Sequence, residues 1–557
     1  MGNLFNSIRV RPPKLNRFNL SHDVKLTTNF GLLTPIMVQD CLPGDVFKNR
    51  CELLARFMPL KAPIMQEINV YTHFFFVPKR LLWDEFKTFI TGGENGTDSP
   101  AYPLLEVDPE TANQYHQFHA CSLADYLGFP VVDERKDLNL SWRDNLYIDA
   151  LPFRAYQLIF NEYYRDENIM DAVDIHRDIS GKYTDDEAFN LRHRSWRKDY
   201  FTSALPWAQR GDEVTLPIQG QADILYNDGY QTIADLELTD LVERGTGTKA
   251  RPGNLTVENG NIFGVNGSEK QSLQITQPFG STSVFSTSRL MSNLIKGVDL
   301  SKASASTINE LRRAIKAQEF LEVGARGGSR YIEQIYSYFG VRSSDARLQR
   351  PQFLGGGKSP VVISDVLQTS QSTETSAQAT PSGHAISVQN NHSFKFRCEE
   401  HGYIIGIMSI MPKASYQQGL PRMYQKFDRL DYYWPQFAHL GEQEILNQEL
   451  FVDYSQAPNS IYNTNRLGTF GYTPRYAEYK TCFDRVHGSF RDTLSFWHMG
   501  RIFNTPPALN NGFLTSMAGS TNRQFAVTDT DAQPIWVQLH HNLKALRKMP
   551  KYGTPMF

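Results

Sequence analysis

Several short stretches carry residue types that could do chemistry. "GGGKS" at 355–359 sets Lys358 and Ser359 behind three glycines, as in a loop that cradles phosphates. That pattern also needs a glycine five residues before Gly357, where Gln352 stands, and Pro360 follows at once. No strand clearly leads in, so the stretch reads as a glycine turn. "HQFHAC" offers His116, His119 and Cys121, but a closed structural zinc site needs a fourth ligand and none is near. Asp529 and Asp531 in "TDTDAQ" lack the glycine and distal glutamate of a calcium loop, and read as a turn. No GxSxG elbow occurs. His540 and His541 fall on opposite faces of an expected strand and do not form a pair. The expectation is a non-enzyme with no catalytic, cofactor-binding or metal-binding residues.

The charge distribution has more pull. The formal net charge is −2 over 557 residues, which gives the whole chain no electrostatic reason to bind nucleic acid. The ends differ from the body. Arg9, Arg11, Lys14 and Arg17 precede Asp23 with no acid among them, and Lys544, Arg547, Lys548 and Lys551 follow Asp531 likewise. Phe5, Phe18, Tyr552 and Phe557 are interspersed. Cations that neutralise phosphates and aromatics that stack on bases suit single-stranded nucleic acid bound without sequence reading. These eight cations are the candidate nucleic-acid contacts.

The elements that must position them read as mostly strands. Aromatics are 12% of the chain, with Gly 38 and Pro 29, a turn-rich composition suited to β-structure. Five cysteines without CxxC spacing suggest a reducing compartment. No signal peptide is expected, and "MGNLFNS" fails as a myristoylation signal at Asn6. No window reaches about 18 uncharged apolar residues, so no membrane helix is expected.

Residues 24–50 read as strand, turn, strand, with the turn at Leu42-Pro43-Gly44-Asp45. In "NVYTHFFFVPKRLLWDEFKTFITGG" (69–93) Val70, Thr72, Phe74 and Phe76 fall on one strand face, and Tyr71, His73, Phe75 and Val77 on the other. From Leu82 the period becomes helical, with Leu82, Phe86 and Phe89 expected to be buried against the body or a neighbouring copy, and Gly92-Gly93 ends the helix. A helix is expected after Pro152. Two more are expected over 306–340, with capping-box spacing at Thr307 and Glu310, a break at Gly324 and the "GARGG" stretch it opens, and an end at Gly340. Residues 365–383 read as a polar loop. "YIIGIMSIM" (403–411) reads as a strand buried on both faces, and 535–541 as the last strand. Residues 208–300, rich in Gly, Asn, Ser and Thr, read as an excursion with short strands of its own.

The blocks that carry a family resemblance now stand in order. "THFFFVPKRLLWDEFKTFITGG" resembles a stretch of the microvirus major capsid proteins of the gokushovirus type. So do "ARGGSRYIEQIYSYFGVRSSDARLQRPQFLGGGKSPVVISDVLQTS" (325–370), "EHGYIIGIMSIMPKASYQQGLPRMYQKFDRLDYYWPQFAHLGEQEI" (400–445), "FGYTPRYAEYK" (470–480) and "LRKMPKYGTPMF". The resemblance implies an all-β fold: a single eight-stranded viral jelly roll with long inserted loops, short helices and a surface insertion. It implies a T=1 icosahedral shell around circular single-stranded DNA, built from pentamers and assembled in a bacterial cytoplasm. The implied partners are further copies of the chain, an internal scaffolding protein, a DNA pilot protein, a small basic DNA-binding protein and a host receptor met by the insertion.

The expected division is a basic arm at 1–23, a first body part at 24–207, the protrusion at 208–300, a second body part at 301–540 and a basic tail at 541–557. The alternative is a carbohydrate-binding jelly roll, for which a secretion signal would be expected.

Overall fold

The computed structural model describes residues 14–107, 118–131, 146–212, 214, 223–226, 255–258, 261–266, 269–272, 295–299, 308–369, 372, 378–452, 466–516, 522–526 and 533–552. Arg9, Arg11, His116, Thr307, Asp529 and Asp531 lie outside them, as do Phe5 and Phe557.

Strict two-residue alternation builds the first sheet. In β4 (Val46–Phe57) Phe47, Asn49, Cys51, Leu53, Ala55 and Phe57 are buried, while Lys48, Arg50 and Arg56 are exposed. The last strand, β10 (Ile535–Arg547), runs beside it from Ile535 opposite Phe57 to Leu546 opposite Val46. It is longer than the expected 535–541, because Leu543 and Ala545 keep the inward alternation and remain fully buried. β1 (Asn16–Asn19) and β2 (His22–Thr28) both pair with β10, and β8 (Pro381–Arg397) and β7 (Val362–Leu367) extend the other side. The order is β1-β10-β4-β8-β7, with β2 also on β10. The expected polar loop at 365–383 therefore begins and ends inside strands, which pair from Val362–Ile386 to Leu367–Pro381.

The second sheet has the order β6-β5-β9-β3, from β3 (Thr34–Cys41), β5 (Ile68–Pro78), β6 (Gln352–Pro360) and β9 (Gly402–Pro412). All of β9 is buried. "GGGKS" lies within β6, antiparallel to β5, and is not a turn. A Cβ on Gly356 would sit 2.2 Å from the Thr72 carbonyl oxygen, and one on Gly357 would sit 1.9 Å from the His392 ring. The glycines serve close backbone approach between β5 and β8. Gly44 (φ +92°) makes the β3–β4 turn where expected.

The two sheets face each other across a core that takes Ile68, Val70, Phe74 and Phe76 from β5 and Leu53, Phe57, Val537 and Leu539 from the first sheet. The opposite face of β5 and β9 enters a different core. There Phe75, Val77, Tyr403, Ile405 and Ile407 pack with Trp83 and with Leu151, Phe153, Tyr156 and Ile159. After β5 the chain makes a 3-10 turn at Lys79–Leu81, then α1 (Phe86–Thr91), capped by left-handed Gly92. Leu82 and Phe86 are buried against the body, and Phe89 packs on Trp83 and Tyr102 while staying 38% exposed in the single chain. α2 (Leu151–Ile159) follows Ala150 with Pro152 in its first turn, where a missing N–H costs nothing.

α3 (Ile308–Gly327) passes through Gly324 and ends at Gly327, inside the expected "GARGG" break, and α4 (Tyr331–Phe339) ends at left-handed Gly340. Gly324 lets the Tyr338 hydroxyl approach, since a Cβ there would lie 2.9 Å from it.

The chain divides into two units: 1–211 with 320–557, and 212–319. Within the smaller unit, Leu255–Glu258, Asn261–Asn266 and Glu269–Ser272 form an antiparallel sheet, and Asp223–Tyr226 pairs with Ile295–Asp299. No helix among the described residues is long and apolar enough to cross a membrane.

Two expected outcomes follow for the unassembled chain. Phe74→Ala removes a fully buried ring and should cost about 3–5 kcal/mol by denaturant unfolding, whereas Phe89→Ala should cost under about 1 kcal/mol. The second concerns acid. Burial first, then neighbouring cationic groups, depresses His541 and His73 to about 4 from the ordinary 6.5. The unfolded chain therefore takes up protons before the folded one does. Stability is full above pH 6.5 and falls as pH drops toward 4, by on the order of 1–2 kcal/mol per histidine at pH 5. An unfolding free energy that is flat from pH 7 to 5 would contradict this.

Candidate nucleic-acid interface

Strand pairing brings cations together that are far apart in the chain. Side chains of directly opposed residues share a sheet face. On the outer face of the first sheet Lys395 lies opposite Lys48, Lys48 opposite Lys544, and Lys544 opposite Asn19. The neighbouring row is Arg397, Val46, Leu546 and Arg17, and on the other side lie Ser393, Arg50 and Asn542. Arg17, Lys48, Arg50, Lys395 and Arg397 are exposed and Lys544 is half-buried.

Three lysines abreast on adjacent strands repel one another. Their nearest acids on this face stand further along the strands. Glu52 is 3.8 Å from Arg50, and Asp23 is 2.5 Å from His540 Nδ1. A face so arranged favours a polyanion, whose phosphates would relieve the repulsion.

The expected contacts divide. Arg17 and Lys544 lie in this patch. Lys14, Lys548 and Lys551 are exposed beside it in sequence, with Tyr552 77% exposed. Asn16 Nδ2 donates to the Met549 carbonyl (2.8 Å), which ties the two basic segments together. Arg547 turns away to structural work. Its Nε is 3.1 Å from Asp45 Oδ2, Nη2 donates to the Asp40 carbonyl (2.8 Å), and the guanidinium lies over Phe47. Burial pushes the Asp45 carboxyl above the usual range, against the pull of the Leu42 N–H and Arg547.

Lys48, Arg50, Lys395 and Arg397 are missed by a search for charge runs, because each is separated from the next cation by an inward-facing residue of its strand, Asn49 or Phe396. The available signal is a cation at alternate, outward positions of strands whose partners are known.

Of the "HQFHAC" residues, His116 lies outside the described residues. Among the described residues no three His, Cys, Asp or Glu side chains converge as for a metal, and the Cys121 thiol lies 3.4 Å from Thr27 Oγ1.

A two-sheet sandwich with long loops and a cation-rich outer face has the form of a structural protein. The chain matches the capsid protein (F protein) family over residues 10–557 and belongs to it. Its role is that of a microvirus capsid protein, and its place is the virion. It is 34% identical to the capsid protein VP1 of Chlamydia phage 1, over 100% of this chain and 98% of that protein. It is 34% identical to capsid protein VP1 of Bdellovibrio phage phiMH2K (97% and 95% covered) and 29% identical to that of Spiroplasma virus 4 (97% and 95% covered).

The lysine row generates a direct expectation. Lys48→Gln/Lys395→Gln/Lys544→Gln should weaken binding of an oligo-dT strand and lower the slope of log affinity against log salt by about 2. Thermal stability should hold or rise slightly as repulsion is relieved. Anisotropy titrations at several salt concentrations decide it, and an unchanged slope would remove the row from the interface.

Proposed function

We propose that this chain is the major capsid protein of a small single-stranded DNA phage, self-assembling through pentamers into a T=1 icosahedral shell around circular DNA. The observation that carries the reading is the family match along nearly the whole chain, joined to the strand order. Taking β2, β10, β4 and β8 as one four-stranded sheet and β3, β9, β5 and β6 as the other supports an eight-stranded jelly roll. The chain crosses from one sheet to the other at nearly every connection.

The cation-bearing face, with the basic segments at both ends, is the surface offered to the genome. Arg9 and Arg11 extend that reading to the arm, and Lys14, Arg17, Lys544, Lys548 and Lys551 are its flanks. Arg547 acts by holding the last strand to Asp45. The excursion at 208–300 is the surface protrusion that meets a host receptor. An internal scaffolding protein, a DNA pilot protein and a small basic DNA-binding protein complete the assembly, which takes place in the bacterial cytoplasm.

Electron microscopy of protein purified from producing cells tests the reading. Closed particles of one size containing DNA are expected, and monomers under all conditions would overturn it. Deletion within 227–294 should leave particles intact and reduce infection. Loss of particles would instead make that region part of the shell.

A further inference from the structure

The loop between β9 and the strand Glu442–Leu446 carries an unusual surface. It reads "PRMYQKFDRLDYYWPQFAHL" (421–440). Phe427 is 88% exposed, Tyr424 and Leu440 59% each, Leu430 53%, Tyr432 52% and Tyr433 49%. Side chains of this size contribute on the order of 100 Å² of accessible area each at such exposure. Together they reach several hundred Å², the scale of one side of a standard protein interface, about 800 Å².

The loop is held in one shape. It winds through three 3-10 turns, Arg422–Tyr424, Arg429–Asp431 and Pro435–Phe437. The Asp431 carboxylate accepts from the N–H groups of Phe427 (3.0 Å) and Asp428 (2.8 Å). The Trp434 indole donates to the Arg429 carbonyl (2.9 Å). Two cations root the loop in the body. Arg422 pairs with buried Glu449 at 3.0 Å, and Lys426 pairs with Glu478 at 3.4 Å while lying 3.6 Å over the Tyr479 ring. A rigid scaffold that points its aromatics outward has already lost the entropy that binding would otherwise cost.

We infer that this loop is a lateral contact by which one copy of the chain grips a second copy, an inference that rests on the shell reading above. Charge argues against the genome as occupant. Arg422 and Lys426 are committed to carboxylates, and Asp428 and Asp431 offset what remains. Composition argues for a like chain, since Tyr, Trp, Phe, Met and Arg are the residues enriched in the cores of protein interfaces. A closed shell needs every copy to bury apolar surface against its neighbours, and this patch supplies it in pre-ordered form.

The test compares full-length chain with Phe427→Asp/Tyr432→Asp and with the conservative Phe427→Leu. Particle yield by electron microscopy, self-association of purified subunits by sedimentation and melting of the subunit are read together. The aspartate variant should lose at least tenfold in particles and should fail to self-associate, with its melting unchanged, and the leucine variant should retain both. Normal particle yield and self-association in the aspartate variant would overturn the inference while leaving the shell reading intact. A subunit that melts well below the wild type would also overturn it, by making the aromatics an internal contact. Failure of the wild-type chain to form particles would sink the shell reading itself. Sedimentation would then still decide whether the patch joins two copies.

Discussion

The structure depends on two strands that bury both faces. β5 and β9 lie side by side, and every residue of β9 is hidden. Each strand has to satisfy two cores at once. Phe74 and Phe76 face the first sheet, and Phe75 between them faces the layer that contains α2 and Trp83. The consecutive phenylalanines are what a shared wall demands, because a strand alternates sides at every residue. Several polar links cross the sandwich, among them Thr72 of β5 with His392 of β8 and Ser359 of β6 with Gln389 of β8. His541 of β10, fully buried, places Nε2 3.1 Å from the Ile36 carbonyl of β3. Burial keeps that ring neutral, and so makes acid a threat to the fold.

With one sheet covered by a second core, the outer face of the other is where charge accumulates. Its lysine row is a local cost with no visible return within the fold. That imbalance is the physical ground for proposing a polyanion as its partner, and the same reasoning sets Arg547 apart, since its charge is already answered by Asp45. A capsid protein acts through surfaces and not through a pocket. The features that matter are accordingly a charged sheet face and a rigid aromatic loop, each displaying groups that the isolated chain leaves uncompensated.

Much of this was legible in the residues. Alternation in β4, β5 and β10, the turn at Gly44, and the helix ends at Gly92 and Gly340 all follow from local rules. Other features were misread or left open for equally physical reasons. The glycines at 355–357 resemble a turn because their purpose, room for Thr72 and His392, comes from strands far away in the chain. Gly324 opens the stretch where the helix breaks but is itself still helical, and the Tyr338 hydroxyl that needs its space belongs to the next helix. Phe89 is covered by Trp83 and Tyr102 on one side alone, since a single chain supplies no neighbour for the other.

The sequence by itself determined which side of each strand is apolar and which termini are basic, since both depend on neighbours two to four residues apart. It also determined the family, through blocks that recur in order. Only the tertiary structure decided which strands are neighbours. That choice aligned Lys48, Lys395 and Lys544, residues separated by hundreds of positions, into one row, and it paired Asn16–Asn19 with Lys544–Arg547 so that the two basic ends meet. Pairing is set by the burial of whole faces against one another, a non-local quantity that no window of sequence contains.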